Sequence, residues 1–110
     1  MAQLKRSASG LNYSASGAGS PAFVFLQAAS SPATLWSAQV ENLSTQHLCV
    51  VALAGDDGED ADNVSQLLGE LQPGPVIVVA ADSATDVALT LNERYPEAVT
   101  GVVLVNPALP

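Results

Sequence analysis

Two side chains that can do chemistry, the carboxylate of Asp82 and the hydroxyl of Ser83, follow an apolar run from Val76 to Ala81. A continuous apolar run that begins after Pro-Gly-Pro predicts a strand buried on both faces. Apolar residues then recur at three- and four-residue steps, which predicts a helix over residues 84–95. Open α/β sheets bind ligands where their strands end, so both side chains occupy a predicted ligand position. Each of them also suits a purely structural role as the cap of the following helix.

Acidic side chains form a cluster in residues 54–62 and offer oxygen atoms to a hard cation. They are Asp56, Asp57, Glu59, Asp60 and Asp62. Their spacing lacks the alternating oxygen ligands of a calcium loop, which favours a solvated acidic loop, and no metal or other cofactor is predicted. The one histidine, His47, is expected at the surface, and the one cysteine, Cys49, as a small buried side chain within a strand. An acid of this segment, Asp60 or Asp62, is expected to cap the next helix.

Composition narrows the classes of partner. The chain has 110 residues, a formal net charge of −8 and only Lys5, Arg6 and Arg94 as basic residues. This balance disfavours nucleic acid and anionic membranes as partners. No apolar run approaches the roughly 18 residues of a membrane span. No apolar core follows Lys5 and Arg6 as it would in a secretory signal, so a cytoplasmic location is expected.

The hydrophobic pattern predicts strands that alternate with helices. The strands are expected at 11–15, 22–26, 48–53, 76–81 and 101–105, and the helices at 33–43, 61–71 and 84–95. This alternation predicts the α/β class, with a mainly parallel sheet and flanking helices. Residues 1–10 are expected to form a flexible tail and residues 11–110 one domain. The expected core consists of Phe23, Phe25, Leu53, Val50, Val76 to Val79 and Val102 to Val105.

A passage near the end of the chain, RYPEAV from Arg94 followed by GVVLVNP from Gly101, is the most specific family signal. Together with the order of the elements, it resembles the amino-terminal half of an α/β-hydrolase over residues 10–110. In this resemblance, residues 10–19 match the opening hairpin and residues 23–26 the first inner strand. The resemblance implies a partial α/β-hydrolase fold with its nucleophile elbow at the turn after residues 76–81.

The elbow implied by the resemblance places Asp82 at the nucleophile position. A strained strand-to-helix turn needs small neighbours, and Ala80, Ala84 and Thr85 stand where the turn requires them. A carboxylate nucleophile occurs in relatives that open epoxides or displace halide through a covalent ester. A shift of one residue makes Ser83 the nucleophile instead, as in esterase-like relatives. Asp82 is preferred because it needs no gap relative to the helix.

Other family motifs are altered. The family's His-Gly after the first inner strand is Gln27-Ala28 here, and the backbone amides near Ala28, Ala29 and Ser83 remain available as oxyanion or pocket donors. The family's triad acid and histidine come after the nucleophile, and this sequence ends before either is reached. His47 is predicted at the opposite end of the sheet and cannot replace the missing base.

The sequence therefore predicts a truncated α/β-hydrolase-like chain, a fragment or one that cannot catalyse as it stands. If completed, it is expected to hydrolyse a small apolar ester, epoxide or alkyl halide. The alternative is a non-catalytic α/β binding or oligomerisation module, with self-association through the exposed edge of the strand at residues 101–105. A phosphoacceptor receiver domain is disfavoured because it needs a lysine after a late strand, and the only lysine is Lys5.

Overall fold

The computed structural model describes residues 5–6, 12–27, 36–53, 60–71, 74–82, 84–97 and 99–107. Within these residues the strands are β1 (Lys5–Arg6), β2 (Asn12–Ser16), β3 (Ala22–Gln27), β4 (Cys49–Leu53), β5 (Val76–Asp82) and β6 (Gly101–Pro107). The helices are α1 (Ser37–Leu43), α2 (Asp60–Leu71) and α3 (Ala84–Arg94). None of the helices so described is long and apolar enough to cross a membrane.

The strands form one six-stranded sheet in the order β1-β2-β4-β3-β5-β6. The four strands from β3 to β6 are parallel where they pair, and β2 pairs antiparallel with both β1 and β4. This arrangement confirms the predicted α/β class and the mainly parallel sheet with flanking helices. β1 lies inside the predicted tail, at Lys5–Arg6, while the domain boundary at residue 10 stays a prediction.

Each face of the sheet carries its own apolar cluster because side chains alternate along a strand. The cluster under α2 and α3 includes Val24, Val50 and Val78, with Leu67 and Leu91 contributed by the helices. The smaller cluster on the face of α1 consists of Phe25, Trp36, Cys49, Val79 and Ala81, with Val40 and Leu43 of α1 packed against it. The predicted apolar faces of the helices are therefore the faces that pack on the sheet.

The predicted core needs correction at one end of the sheet. Val103, expected in the core, is 48% exposed. It belongs to the α1 face of β6, and in the described part of the chain α1 packs near β3 and β4 rather than over this strand. Five other residues of the predicted core are half-buried rather than fully buried, namely Phe23, Leu53, Ile77, Val102 and Leu104, and the side chain of Val105 lies outside the described residues. The pattern of β6 alone could not reveal that a helix covers one of its faces and leaves the other open.

α1 is shorter than the predicted helix. It begins at Ser37, whereas the apolar pattern places a start at residue 33, and residues 33–35 lie outside the described residues. Trp36 stands at its amino end without a side-chain capping hydrogen bond. The indole is 6% exposed and its ring centroid lies 5.2 Å from that of Phe25. Trp36 is thus part of the core because it packs against Phe25 of β3, although it lies just before the first residue of α1.

A cluster of three polar side chains ties α2 to the end of α3. The carboxylate of Asp62 accepts hydrogen bonds from Tyr95 Oη at 2.7 Å and from Arg94 Nη1 at 3.1 Å. The hydrogen bond from Tyr95, supported by Arg94, lowers the pKa of Asp62, and the same hydrogen bond raises the pKa of Tyr95. Asp62, one of the two expected caps of α2, instead lies within the helix and binds these partners.

Candidate functional site

The turn after β5 is the feature around which a site can form. β5 ends at Asp82 and α3 begins at Ala84, so Ser83 alone separates strand from helix. β5 is an inner strand that lies between β3 and β6, so this connection follows an inner strand and not an outer strand of the sheet. Asp82 is described through its backbone, and Ser83 lies outside the described residues. A single residue therefore joins the strand to the helix, and a nucleophile elbow needs a connection this short.

Small buried residues surround this turn. Ala80 and Ala84 are fully buried, and Thr85 is 1% exposed. Ala80 is fully buried in the cluster beneath α2 and α3, where a larger side chain would have to displace close-packed neighbours. The small residue types that the elbow hypothesis requires are therefore also those that this packing accepts, which supports the predicted geometry without assigning a chemical role.

Gln27 lies at the corresponding end of the neighbouring strand. β3 pairs with β5 through Leu26 and Ala80, so both strands end at the same edge of the sheet. Gln27 is 1% exposed, an unusual burial for a glutamine side chain. The other two predicted pocket residues, Ala28 and Ala29, lie outside the described residues. The fold thus brings Gln27 and the backbone of Asp82 to neighbouring strand ends, while the pocket roles of these residues stay predictions.

His47 lies far from this edge. It precedes β4 and therefore lies beside the amino ends of the parallel strands, as the sequence predicts. Its Nδ1 donates to the carbonyl oxygen of Pro21 at 2.9 Å, and its ring meets that of Phe23 edge to face at 5.1 Å. These contacts leave His47 half-buried, so it is more covered than a freely solvated surface residue. The structure gives His47 a packing role between β3 and the start of β4.

Cys49 and the acidic segment offer no second site in the described part of the chain. Cys49 is 1% exposed, and burial raises the pKa of its thiol, which fits the predicted inert packing role. Its Sγ donates weakly to the carbonyl oxygen of His47 at 3.7 Å. Asp56, Asp57 and Glu59 lie outside the described residues. Among the residues that are described, no group of three or more histidine, cysteine or acidic side chains could hold a metal ion.

Two side-chain features elsewhere in the described structure could not be predicted from the sequence pattern. The link from Asp62 to Arg94 and Tyr95 joins residues more than thirty positions apart, which no local periodicity reveals. The indole Nε1 of Trp36 is buried without an acceptor among the described residues, although a buried donor ordinarily has one. Asp62 is expected in the acidic cluster or as a helix cap, and Arg94 and Tyr95 belong to the family passage, but neither pattern predicts that these side chains meet.

Comparison with known proteins shows similarity of structure and none of sequence. No family model matches the chain, and no curated protein matches it. Est816, an N-acyl homoserine lactone degrading enzyme, is 20% identical with a TM-score of 0.80, covering 96% of this chain and 45% of its own. A mutant epoxide hydrolase from Bacillus megaterium is also 20% identical, with a TM-score of 0.78 and coverages of 98% and 43%.

A thermophilic esterase from Thermogutta terrifontis is 18% identical with a TM-score of 0.77, covering 98% of this chain and 46% of the esterase. The chain therefore spans less than half the length of each of these three solved structures. At such low identity the likeness concerns the fold alone, and it agrees with the strand order and the turn described above. The chain has a partial α/β-hydrolase fold.

Proposed function

We propose that this chain carries the nucleophile half of a hydrolase that acts on a small apolar ester, epoxide or alkyl halide. The observation that carries the proposal is that a single residue separates the end of β5, at Asp82, from the start of α3 at Ala84. An epoxide hydrolase and an esterase are among the solved proteins of similar fold. Asp82 is the proposed nucleophile and Ser83 the alternative.

With Asp82 as nucleophile, a carboxylate oxygen attacks a carbon atom of the substrate. In an alkyl halide this is the carbon bonded to the halogen, and in an epoxide it is a ring carbon bonded to the epoxide oxygen. The bond from that carbon to the leaving atom breaks with its electron pair, and an ester of Asp82 remains. Hydrolysis of the ester then needs a base to activate water. The sequence holds one histidine, and His47 lies at the other end of the strands. We therefore propose that a further polypeptide segment supplies the base.

With Ser83 as nucleophile, the base is needed earlier. Its hydroxyl attacks an ester carbonyl only as its proton passes to an acceptor. The two candidates thus predict different products from these 110 residues alone. A carboxylate at position 82 still forms a stable alkyl ester, whereas the hydroxyl at position 83 does not accumulate an acyl group without its base.

The test is incubation of the chain with 1-bromobutane, followed by digestion and mass spectrometry of the peptide that contains the turn. The expected product is a butyl ester on Asp82, lost in Asp82→Asn and retained in Ser83→Ala. Asp86 offers the matched control, since it is an exposed acid in the first turn of α3. Asp86→Asn should leave the adduct unchanged. An adduct spread equally over Asp82, Asp86 and other acids would contradict the proposal.

A non-catalytic α/β module is the second candidate. The observation that favours it is the engagement of His47 with Pro21 and Phe23, which leaves the histidine of this sequence in a packing role. A chain that melts cooperatively and forms no adduct at Asp82 or Ser83 would support this candidate over the hydrolase.

A further inference from the structure

Of the three described helices, α1 makes the least extensive contact with the sheet. It has seven residues, Ser37–Leu43, and none of them is fully buried. The side chains of α1 that pack against the cluster on this face are Val40 and Leu43, and both are half-buried. α3, by contrast, has five buried residues. Because helices in proteins are stabilised mainly by the packing of their apolar face, the sheet gives α1 little support.

The sequence of α1 also gives it little stability of its own. Seven residues are well below the roughly 12–15 at which even good helix formers become helical in isolation. The amino end of α1 has no side-chain capping hydrogen bond and no acid in its first turn, and its last turn has no base. Glu41 instead places a negative charge in the last turn, beside the negative end of the helix macrodipole.

Both ends of α1 are nevertheless anchored. At the amino end, Trp36 is 6% exposed, and its ring centroid lies 5.2 Å from that of Phe25 in β3. At the carboxyl end, the N–H groups of Gln46 and His47 donate to the carbonyl oxygen of Leu43 at 3.1 Å and 2.9 Å. The weakly supported part of this segment therefore lies between two fixed points.

The connection that follows α1 is bound to another part of the chain. Leu48 N–H donates to the carbonyl oxygen of Gly19 at 3.1 Å, and His47 Nδ1 donates to that of Pro21 at 2.9 Å. These bonds join the connection between α1 and β4 to the connection between β2 and β3, and neither of them involves a residue of α1. Residues 44–48 can therefore keep their place when α1 moves.

We propose that α1 is a strap that opens by local unfolding, while the six-stranded sheet, α2 and α3 stay folded. In the open state the helical hydrogen bonds of α1 are broken, and Val40 and Leu43 leave the cluster. Because both ends stay anchored, the open segment is a short loop that recloses at a small cost in entropy. Opening uncovers the α1 face of the sheet around Cys49, whose side chain is 1% exposed in the closed state.

The first test is native-state hydrogen exchange of two amides that bond within this segment. Val40 N–H donates to the carbonyl oxygen of Trp36, and Ser44 N–H donates to that of Val40. Phe23 N–H, which donates to the carbonyl oxygen of Leu48 beside β3 and β4, is the reference. After correction for intrinsic rates, the two α1 amides should exchange at least about a hundredfold faster than the reference. Equal protection of all three amides would overturn the proposal.

The second test is the reaction of Cys49 with a thiol reagent at increasing concentrations of urea. Opening of α1 exposes little surface, so the labelling rate should hardly change at low urea. It should also be at least about tenfold faster than the rate calculated from the free energy of global unfolding and the rate of the unfolded chain. Labelling that follows global unfolding at every urea concentration would contradict a strap that opens on its own.

Paired variants identify α1 as the segment that opens. Asn42 of α1 and Asn92 of α3 are both exposed, and alanine favours a helix more than asparagine does. Asn42→Ala should slow the native labelling of Cys49 by about threefold, whereas Asn92→Ala, the matched control, should leave it unchanged. Ala38→Gly in α1 should speed labelling by about fourfold, and Gln66→Gly in α2 should not. Equal effects within each pair would show that labelling does not report on α1. None of these rates depends on hydrolase activity.

Discussion

At two positions, Gly17 and Gly19, close packing against the backbone requires a glycine. Gly17 and Gly19 have φ angles of 77° and 128° and lie in the connection between β2 and β3. A Cβ on Gly19 would overlap the carbonyl oxygen of Gln46, and one on Gly17 would overlap that of Ser44. This connection therefore lies directly against the backbone between α1 and β4, and neither glycine has room for a side chain.

Gly19→Ala is accordingly predicted to destabilise the chain by at least about 2 kcal/mol, because it adds backbone strain to a collision with a carbonyl. Gly74 separates these two causes, since its φ is 79° and, among the described residues, no atom would lie within 4 Å of an added Cβ. Gly74→Ala should cost only about 1 kcal/mol. Chemical denaturation of both variants checks the order, and an equal loss for the two would show that the contact with Gln46 is unimportant.

Asp62 is expected to make stability depend on pH. Its pKa is lowered in the folded chain, chiefly by the hydrogen bond from Tyr95, so its contribution is present above the unfolded-state pKa of about 3.9. That contribution is lost as the pH falls through the lowered value. Asp62→Asn should therefore reduce the melting temperature at neutral pH and flatten its fall in acid. Tyr95→Phe should act in the same direction, whereas Glu93→Gln, in the adjacent turn, is the control.

At the scale of the elements, stability should depend on which face a helix residue occupies. Leu67 of α2 is fully buried against the sheet, whereas Leu89 of α3 is 49% exposed. Leu67→Ala should cost about 2–5 kcal/mol through lost burial and a cavity. Leu89→Ala should stay within about 0.5 kcal/mol. Urea denaturation of the two variants provides the comparison, and a similar loss at both positions would contradict the described packing of α3.

The sequence predicts best those elements whose own apolar residues form a regular pattern or a continuous run. The periodicity of α2 and α3 and the apolar run of β5 predict these elements to within a residue or two. β1 was missed because two basic residues have no apolar pattern, and their strand exists only through pairing with β2. The pattern of β6 predicts Val103 in the core, because the sequence of one strand does not reveal whether a distant helix covers it.

The sequence predicts where the candidate site lies along the backbone, but it does not predict the side-chain contacts of His47 and Asp62. The turn after β5 and the small residues around it follow from local pattern and steric need. Gln27 is expected beside it because it stands where the family's His-Gly follows the first inner strand, and β3 and β5 do end at a common edge. The partners of His47 and Asp62 come from strands and helices that are distant in the sequence, so no local pattern could identify them.

At the scale of the whole molecule, the reactivity of Cys49 measures how well the α1 face of the sheet is covered. Cys49 lies in β4 between β2 and β3, and its side chain is 1% exposed. Reaction with a thiol reagent in native buffer should therefore be slow and should require local opening of the cluster beneath α1. A labelling rate close to that of the unfolded chain would show that this cluster does not shield the α1 face of the sheet.

The two faces of the sheet also differ in their optical properties, which makes the layers separately visible. Trp36 is the only tryptophan, and it belongs to the cluster beneath α1, while Tyr95 packs against the cluster beneath α2 and α3. An indole shielded from water emits at shorter wavelength than a hydrated one, so its emission reports on one layer alone. Far-ultraviolet dichroism mainly reports on the longer helices of the opposite layer. Coincidence of the two signals during melting would mean that both layers unfold as a single cooperative unit.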